Sequence, residues 1–210
     1  MKKSANSANS ATILVIACAA IAREVNQLKK LGQWSQMDLQ AISVDLHARP
    51  EKIPQAVAEK IEQARGRYDH IFVAYGDCGT SGELDKLLQK HGIKRLPGAH
   101  CYDFLAGRDN YEKMQEEEPG SFYLTDFLTQ HFQRLVIETL GIDRHPELLE
   151  MYFGNYTRLV YLAQTDSAEL TELAKAAAAQ LGLRFERVFT GMGEMVPELD
   201  AAMREAMWHK

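Results

Sequence analysis

Five short apolar runs, rich in β-branched residues, recur along the chain. They are Ile13–Ala17, Ala41–Leu46, Ile71–Tyr75, Leu159–Ala163 and Phe185–Phe189. The first and third are apolar throughout, which is typical of strands that helices cover on both faces. The last has a more polar alternation, as an edge strand does. The pattern therefore predicts five strands in one largely parallel central sheet.

Apolar positions at helical spacing separate these runs. The predicted helices are marked by Ile53, Val57, Ile61 and Ala64 after Pro50, by Leu84, Leu87, Leu88 and His91 before Gly92, and by Leu170, Leu173, Ala177 and Leu181 before Gly182. Alternating strands and helices indicate βαβ units, whose right-handed crossovers align the carboxyl ends of the strands. We expect a Rossmann-like α/β fold with helices on both faces of the sheet.

The longest helical period interrupts this alternation. Leu124, Leu128, His131 and Leu135 predict a helix over 124–140. We interpret Cys101–Gly154 as a helical insertion that caps the strand ends, within a single α/β domain over 12–210. The Ser- and Asn-rich residues 1–11 are expected to form a disordered tail.

Composition narrows the function classes. The chain has 210 residues, 46% hydrophobic and 25% charged, with a net charge of −5, which is typical of a globular domain and argues against nucleic-acid binding. No apolar segment is long enough to span a membrane. Three cysteines are an odd number, so we expect free thiols in a reducing compartment, the cytoplasm.

The three cysteines each follow an apolar or strand-like run. Cys18 follows the first strand, Cys78 the third, and Cys101 a short segment ending in His100. Ligands bind outside the carboxyl ends of parallel strands, so the three thiols are expected to converge there. Thiolates suit zinc or iron, with His100 or His47 as a further donor. The alternative is that each cysteine packs as a small buried hydrophobe.

The loop Gly76–Glu83 joins the third strand to a helix and allows two other interpretations. Thr80 and Glu83 have the spacing of a capping box, which would place Cys78 near a helix N-terminus and lower its pKa. Cys78 would then be a nucleophile with His47 or His100 as base. Alternatively, a metal-free site would hold an anion or cofactor. Its predicted ligand-binding residues are Arg49, Gly76, Gly79 and Thr80.

Several motifs together resemble one bacterial and archaeal family, known as domain of unknown function 1638. They are Ile13–Glu24, Leu46–Pro50, Tyr75–Gly79, Gly98–Cys101, Pro119–Thr125 and Tyr152–Tyr156. Genes of that family often lie near corrinoid-dependent methyltransferases, so the resemblance implies a role in methyl transfer or one-carbon and methionine metabolism. The chain lacks the Asp-x-His-x-x-Gly pattern that gives a histidine to cobalamin, so a corrinoid would belong to a partner protein.

These observations lead to one principal hypothesis. Cys18, Cys78 and Cys101 bind zinc or iron in a protein that serves small-molecule methyl or one-carbon chemistry, as an enzyme or an accessory. A small-molecule substrate and a corrinoid protein or methyltransferase are the expected partners. The anion-binding module and the cysteine-nucleophile enzyme remain open alternatives.

Overall fold

A computed structural model describes residues 12–208, so the tail predicted for residues 1–11 lies outside the described chain. Strands and helices alternate along most of the described chain. They are β1 (Ile13–Cys18), α1 (Ala22–Leu31), β2 (Met37–Ile42), α2 (Ile53–Ala64), β3 (His70–Ala74), α3 (Glu83–His91), β4 (Lys94–Arg95), α4 (Cys101–Ala106), α5 (Arg108–Glu117), β5 (Ser121–Thr125), α6 (Asp126–Gln130), α7 (Leu148–Phe153), β6 (Arg158–Ala163), α8 (Ala168–Leu181), β7 (Arg184–Phe189) and α9 (Met195–Trp208).

The strands form two sheets and not the single sheet predicted. The first sheet has the order β2-β1-β3-β4 and the second the order β5-β6-β7. Every pairing between strands is parallel, as expected. The α/β, Rossmann-like class is confirmed, with helices flanking both sheets.

The strands divide into two sheets because part of the predicted helical insertion forms a strand. Leu124 lies in a strand and not in a helix, because Ser121–Thr125 forms β5. This strand pairs with β6 in the second sheet. The helical part begins only at Asp126, where the Thr125 hydroxyl accepts a hydrogen bond from the Leu128 N–H at 3.3 Å. After α6 the chain forms a π-helical turn over Gln133–Glu138, so no continuous helix spans 124–140.

The second predicted strand is displaced along the chain. β2 covers Met37–Ile42, whereas Ala41–Leu46 was expected. The Ser43 hydroxyl accepts a hydrogen bond from the Asp45 N–H at 3.2 Å, and this starts a 3₁₀ turn over Val44–Ala48. A Ser side chain that bonds the backbone two residues ahead competes with extended structure, which explains the early end of the strand.

Separate apolar cores stabilise the two sheets. The first core surrounds β1 and β3 and takes in α9, whose Met195, Leu199 and Met203 are fully buried. A second core lies between β6 and the helices α6 and α8. The helix α9 follows β7 in the chain but contacts β3, so it returns from the second sheet to the first.

Candidate functional site

The carboxyl ends of β1 and β3 lie side by side. The two strands pair in parallel with Ala17 opposite Ala74. Cys18 is the next residue of β1, and Tyr75 is the next residue after β3. Strand register alone therefore brings Cys18 and Tyr75 to the same edge of the first sheet.

The loop after β3 is shaped by Asp77. Its carboxylate accepts hydrogen bonds from the Thr80 hydroxyl at 2.6 Å, the Ser81 N–H at 3.1 Å and the Gly82 N–H at 2.9 Å. The helix α3 begins at Glu83 after Gly82, so Thr80 lies outside the helix and the predicted capping box with Glu83 does not form. Asp77 instead stabilises the turn that leads into the helix, because its carboxylate accepts from the N–H groups of Ser81 and Gly82, which precede α3.

Two residues of this loop have an unusual backbone conformation. Cys78 has φ 49° and Ser81 has φ 55°, in the left-handed region that non-glycine residues rarely occupy. The Ser81 N–H donates to Asp77 and the Cys78 N–H donates to the Ala99 carbonyl, and these bonds hold the two residues there. Backbone held in this way is frequent at functional sites.

A second loop, Leu96–Cys101, lies against the first. The Asp77 N–H donates to the Gly98 carbonyl at 3.1 Å, and the Cys78 N–H donates to the Ala99 carbonyl at 2.7 Å. A Cβ atom on Gly76 would lie 3.0 Å from the His100 carbonyl carbon, so only glycine permits this approach without a shift. The two loops therefore place Cys78 beside Cys101.

The three cysteines form a cluster, called the thiol cluster below, around Tyr75. The Tyr75 hydroxyl is near enough to Cys18, and the backbone of Cys101 to Cys78, to lower the pKa of each thiol against the larger effect of burial. Cys18 is 7% exposed and Tyr75 2% exposed, while Cys78 and Cys101 are half-buried. All three thiols are free.

Burial raises the pKa of all three thiols. It raises the pKa of Cys78 to about 12, and the neighbouring Cys18 contributes in the same direction. The pKa of Cys101 is raised well above its usual value by burial and then by Cys78 and Cys18. The expected low pKa of Cys78 is therefore wrong, because burial raises it first, and Cys18 and the neighbouring Asp77 carboxylate act in the same direction.

The two candidate histidines lie at the rim of this edge. His47 is exposed in the 3₁₀ turn after β2, and His100 is exposed immediately before α4. Partial desolvation, and then the nearby His100, lower the pKa of His47. His100 also stacks on Tyr102, with 6.3 Å between ring centroids. The two imidazoles are thus close enough to each other to interact, and His100 adjoins Cys101 in the chain.

The residues predicted to bind an anion are found at the same edge but are largely engaged. Arg49 is exposed. The Thr80 hydroxyl donates to Asp77 and accepts from the Leu84 N–H at 3.4 Å, and the N–H groups of residues 80 to 83 also donate to protein oxygens. Gly79 has φ 83° and lies against Pro50, which gives it a structural role in the turn.

No three Cys, His, Asp or Glu side chains within residues 12–208 are arranged as a ready-made set of metal ligands. Neutral thiols in an apolar setting have no charge that draws them toward a common point. A metal ion would have to displace their protons as it bound.

Sequence reasoning missed two features of the structure. Tyr75 was treated as the end of a strand, although a tyrosine directly after a buried strand has a hydroxyl that needs a partner. A second polar cluster lies at the carboxyl ends of β5 and β6, where Asp126 accepts hydrogen bonds from Tyr161, Gln164 and Thr165. The signal for Asp126 was its position directly after the cap residue Thr125.

The fold and the edge described above define a class of protein: a parallel α/β protein of two sheets with a cluster of three free thiols at the end of the first. A family model described as a protein of unknown function, DUF1638, matches residues 41–197 of the chain. The chain belongs to this family, as its motifs indicated. A comparison with curated proteins finds no match. Within residues 12–208, no helix is long and apolar enough to cross a membrane.

Proposed function

We propose that the thiol cluster binds a thiophilic metal ion, zinc or ferrous iron, through Cys18, Cys78 and Cys101. The observation that carries the proposal is the convergence of three cysteines from separate elements, β1, the loop after β3 and the start of α4, at one strand edge. Packing of cysteine as a small hydrophobe does not require three cysteines from separate elements to lie near one another. His100 or His47, at the rim, is the expected further donor.

The two alternatives have weaker support in the geometry. A nucleophilic cysteine needs a thiolate, whereas burial raises the pKa of Cys78 to about 12. An anion site needs free N–H groups at the loop, whereas Asp77 takes those of Ser81 and Gly82 and adds a negative charge. A bound cation, in contrast, compensates Asp77 and stabilises the thiolates.

The same proposal extends to the chemistry that the family resemblance implied. A thiolate-bound zinc ion can bind and activate the thiol of a small molecule for methyl transfer. The protein would then act in one-carbon or methionine metabolism, as an enzyme or as an accessory to a corrinoid protein or methyltransferase. A binding measurement between the purified protein and a methylated corrinoid protein, with and without zinc, tests that extension separately.

The test of metal binding uses the full chain, purified without an affinity tag under reducing conditions. We expect about one zinc or ferrous ion per chain by elemental analysis, after reconstitution where needed. Cys78→Ser should lose stoichiometric metal and keep its circular dichroism spectrum, because the cores of both sheets do not depend on this thiol. His145→Ala is the control, since His145 is 62% exposed and distant in the chain from the cluster.

Two results would overturn the proposal. One is a reduced wild-type protein that takes up neither ion at micromolar concentrations. The other is equal metal content in the wild type and in Cys78→Ser, which would indicate binding elsewhere on the chain. A loss of metal in His145→Ala alone would point to the same conclusion.

A further inference from the structure

A depression of about 430 Å³ lies between α7 and the carboxyl end of α8, and is called the α7 depression below. Phe153 and Leu181, which are buried, form its base, whereas Glu150 and Tyr156, which border it, are exposed. None of the residues of the thiol cluster lines it. The depression includes part of the motif Tyr152–Tyr156, for which the thiol cluster provides no role.

The α7 depression is electrostatically negative. Among the described residues that line it, Glu150 alone is charged, and its carboxylate forms no ion pair within residues 12–208. The helices α7 and α8 both end at the depression, at Phe153 and Leu181, and neither has a basic residue in its last turn. The carboxyl end of a helix carries a partial negative charge that favours cations. The depression therefore attracts a positive group that its own lining does not supply.

Aromatic rings give this negative site a preferred kind of cation. Phe122, Phe153 and Tyr156 pack together, with ring centroids 5.1 to 5.8 Å apart. Tyr156 is 37% exposed, so its ring is accessible from solvent. The face of a tyrosine ring attracts a guanidinium or ammonium group, and a guanidinium can stack on a ring while it donates to a carboxylate. Glu150 and Tyr156 together suit an arginine or lysine side chain.

Exposed apolar side chains on α7 indicate that the cation belongs to a protein. Met151 is 64% exposed and Tyr152 is 41% exposed, and both follow Glu150 directly in the helix. Methionine and tyrosine are enriched where proteins contact one another. A small free cation in the depression would leave Met151 and Tyr152 uncovered.

We propose that α7 and the α7 depression form a docking surface for another protein. The partner inserts an arginine or lysine side chain beside Glu150 and covers Met151 and Tyr152 with apolar residues. A second copy of this chain fits less well, because a symmetric contact between two α7 helices would place Glu147 and Glu150 against their own copies. The partner surface is therefore basic around an apolar centre. The proposal does not depend on metal binding by the thiol cluster.

The experiment titrates the isotope-labelled full chain with a synthetic helical peptide of leucine, alanine and arginine, and follows the amide resonances by NMR. We expect shifts at residues 149–156 and 179–183, and none with the same peptide carrying glutamate in place of arginine. Glu150→Lys should weaken binding of the arginine peptide by about tenfold or more, because it puts a like charge at the depression. Glu112→Lys, at an exposed position of α5, changes the net charge equally and should bind as the wild type.

A second pair of variants tests the apolar part of the surface. Met151→Ser should weaken binding of the arginine peptide by about fivefold, because it removes an apolar side chain that the peptide covers. Leu31→Ser is the matched control, since Leu31 is 70% exposed but lies on α1. All four substitutions are at exposed positions and should leave the circular dichroism spectrum unchanged.

Four results would overturn the proposal. The first is an arginine peptide that does not bind or shifts only other residues, and the second is equal binding by the wild type and Glu150→Lys. The third is binding of N-acetylarginine amide as tight as that of the peptide, with no effect of Met151→Ser, since the depression would then be a site for a small cation. The fourth is a wild-type dimer in sedimentation that Met151→Ser dissociates, because a second copy would then cover α7.

Discussion

At the scale of single residues, the chemistry of the thiol cluster follows from burial more than from local sequence. Cys78 stands five residues before α3, and the N–H groups of Ser81 and Gly82 just before the helix donate to the Asp77 carboxylate. Cys18 gains a hydrogen bond from Tyr75, which lowers its pKa, yet burial outweighs this and raises the pKa overall. The metal-free cluster is therefore a set of neutral thiols.

We expect the cluster to resist alkylation in the metal-free protein. A pKa of about 12 for Cys78, against an ordinary value of 9.0, leaves on the order of a thousandfold fewer thiolates at neutral pH. Iodoacetamide labelling at neutral pH, followed by peptide mass spectrometry, should be slow at all three cysteines and fast after unfolding in urea. Rapid native labelling at Cys78 alone would favour the nucleophile hypothesis.

The role of Tyr75 could not be predicted from the sequence. The apolar run that ends in Tyr75 indicated a buried strand, and that strand is present. The partner of its hydroxyl is set by the register of β1 against β3, which brings Cys18 to the same level. Contacts of this kind depend on residues far apart in the chain, whereas a periodic pattern describes near neighbours only.

At the scale of elements, the spacing of apolar residues was sufficient to predict a helix or strand where that element was long and uninterrupted. The helices α2, α3 and α8 and the strands β1, β3, β6 and β7 lie where the pattern predicted them, to within a few residues. The pattern failed at β5 and α6, since apolar residues continue from strand into helix without a polar gap. Thr125, whose hydroxyl caps α6, is the single local mark of the boundary.

Asp77 is the residue on which the loop of Cys78 depends most. Replacing it by alanine removes the acceptor of three hydrogen bonds, so we expect the free energy of unfolding to fall by about 1–2 kcal/mol. Urea denaturation measures this change. Asp109→Ala, at an exposed position in the first turn of α5, is the control and should change stability much less. An Asp77→Ala protein as stable as the wild type would show that the loop is held by its contacts with Leu96–Cys101 alone.

At the scale of the whole molecule, the division into two sheets is the feature that local patterns could not reveal. Both sheets consist of parallel strands with helices between them, so their sequence patterns are alike. What separates them is the long segment between the two-residue strand β4 and β5. Strand length and pairing at that point depend on packing across the molecule and not on the period of apolar residues.

The metal-free protein should lose stability as the pH rises above the value at which an ordinary thiol ionises. The unfolded chain releases the Cys78 proton near pH 9.0, while the folded protein holds it until about pH 12. The raised pKa therefore stabilises the unfolded state increasingly as pH rises through this interval. Urea denaturation of the wild type and of a variant with serine at all three cysteines should show the steeper alkaline decline in the wild type.

Tyrosines also titrate in this interval, and those distant from the cysteines cancel in the comparison. Burial and then the cysteines raise the pKa of Tyr75 and Tyr102, so these two tyrosines belong to the difference that the comparison measures. Below this pH range, bound zinc should make the protein more stable as the pH rises. Metal binding releases thiol protons and therefore strengthens with pH. Parallel declines in the metal-free wild type and the serine variant would mean that the folded protein does not hold the thiol protons.

The return of α9 to the first sheet imposes an order on folding during synthesis. The strands β1 to β4 emerge from the ribosome early, but the apolar side chains of Met195, Leu199 and Met203 that complete their core emerge only after β7. During that interval the first sheet must leave apolar surface uncovered while the second sheet forms. Domains usually fold as units in the order of their synthesis. Here the part of the protein that is made first is completed last.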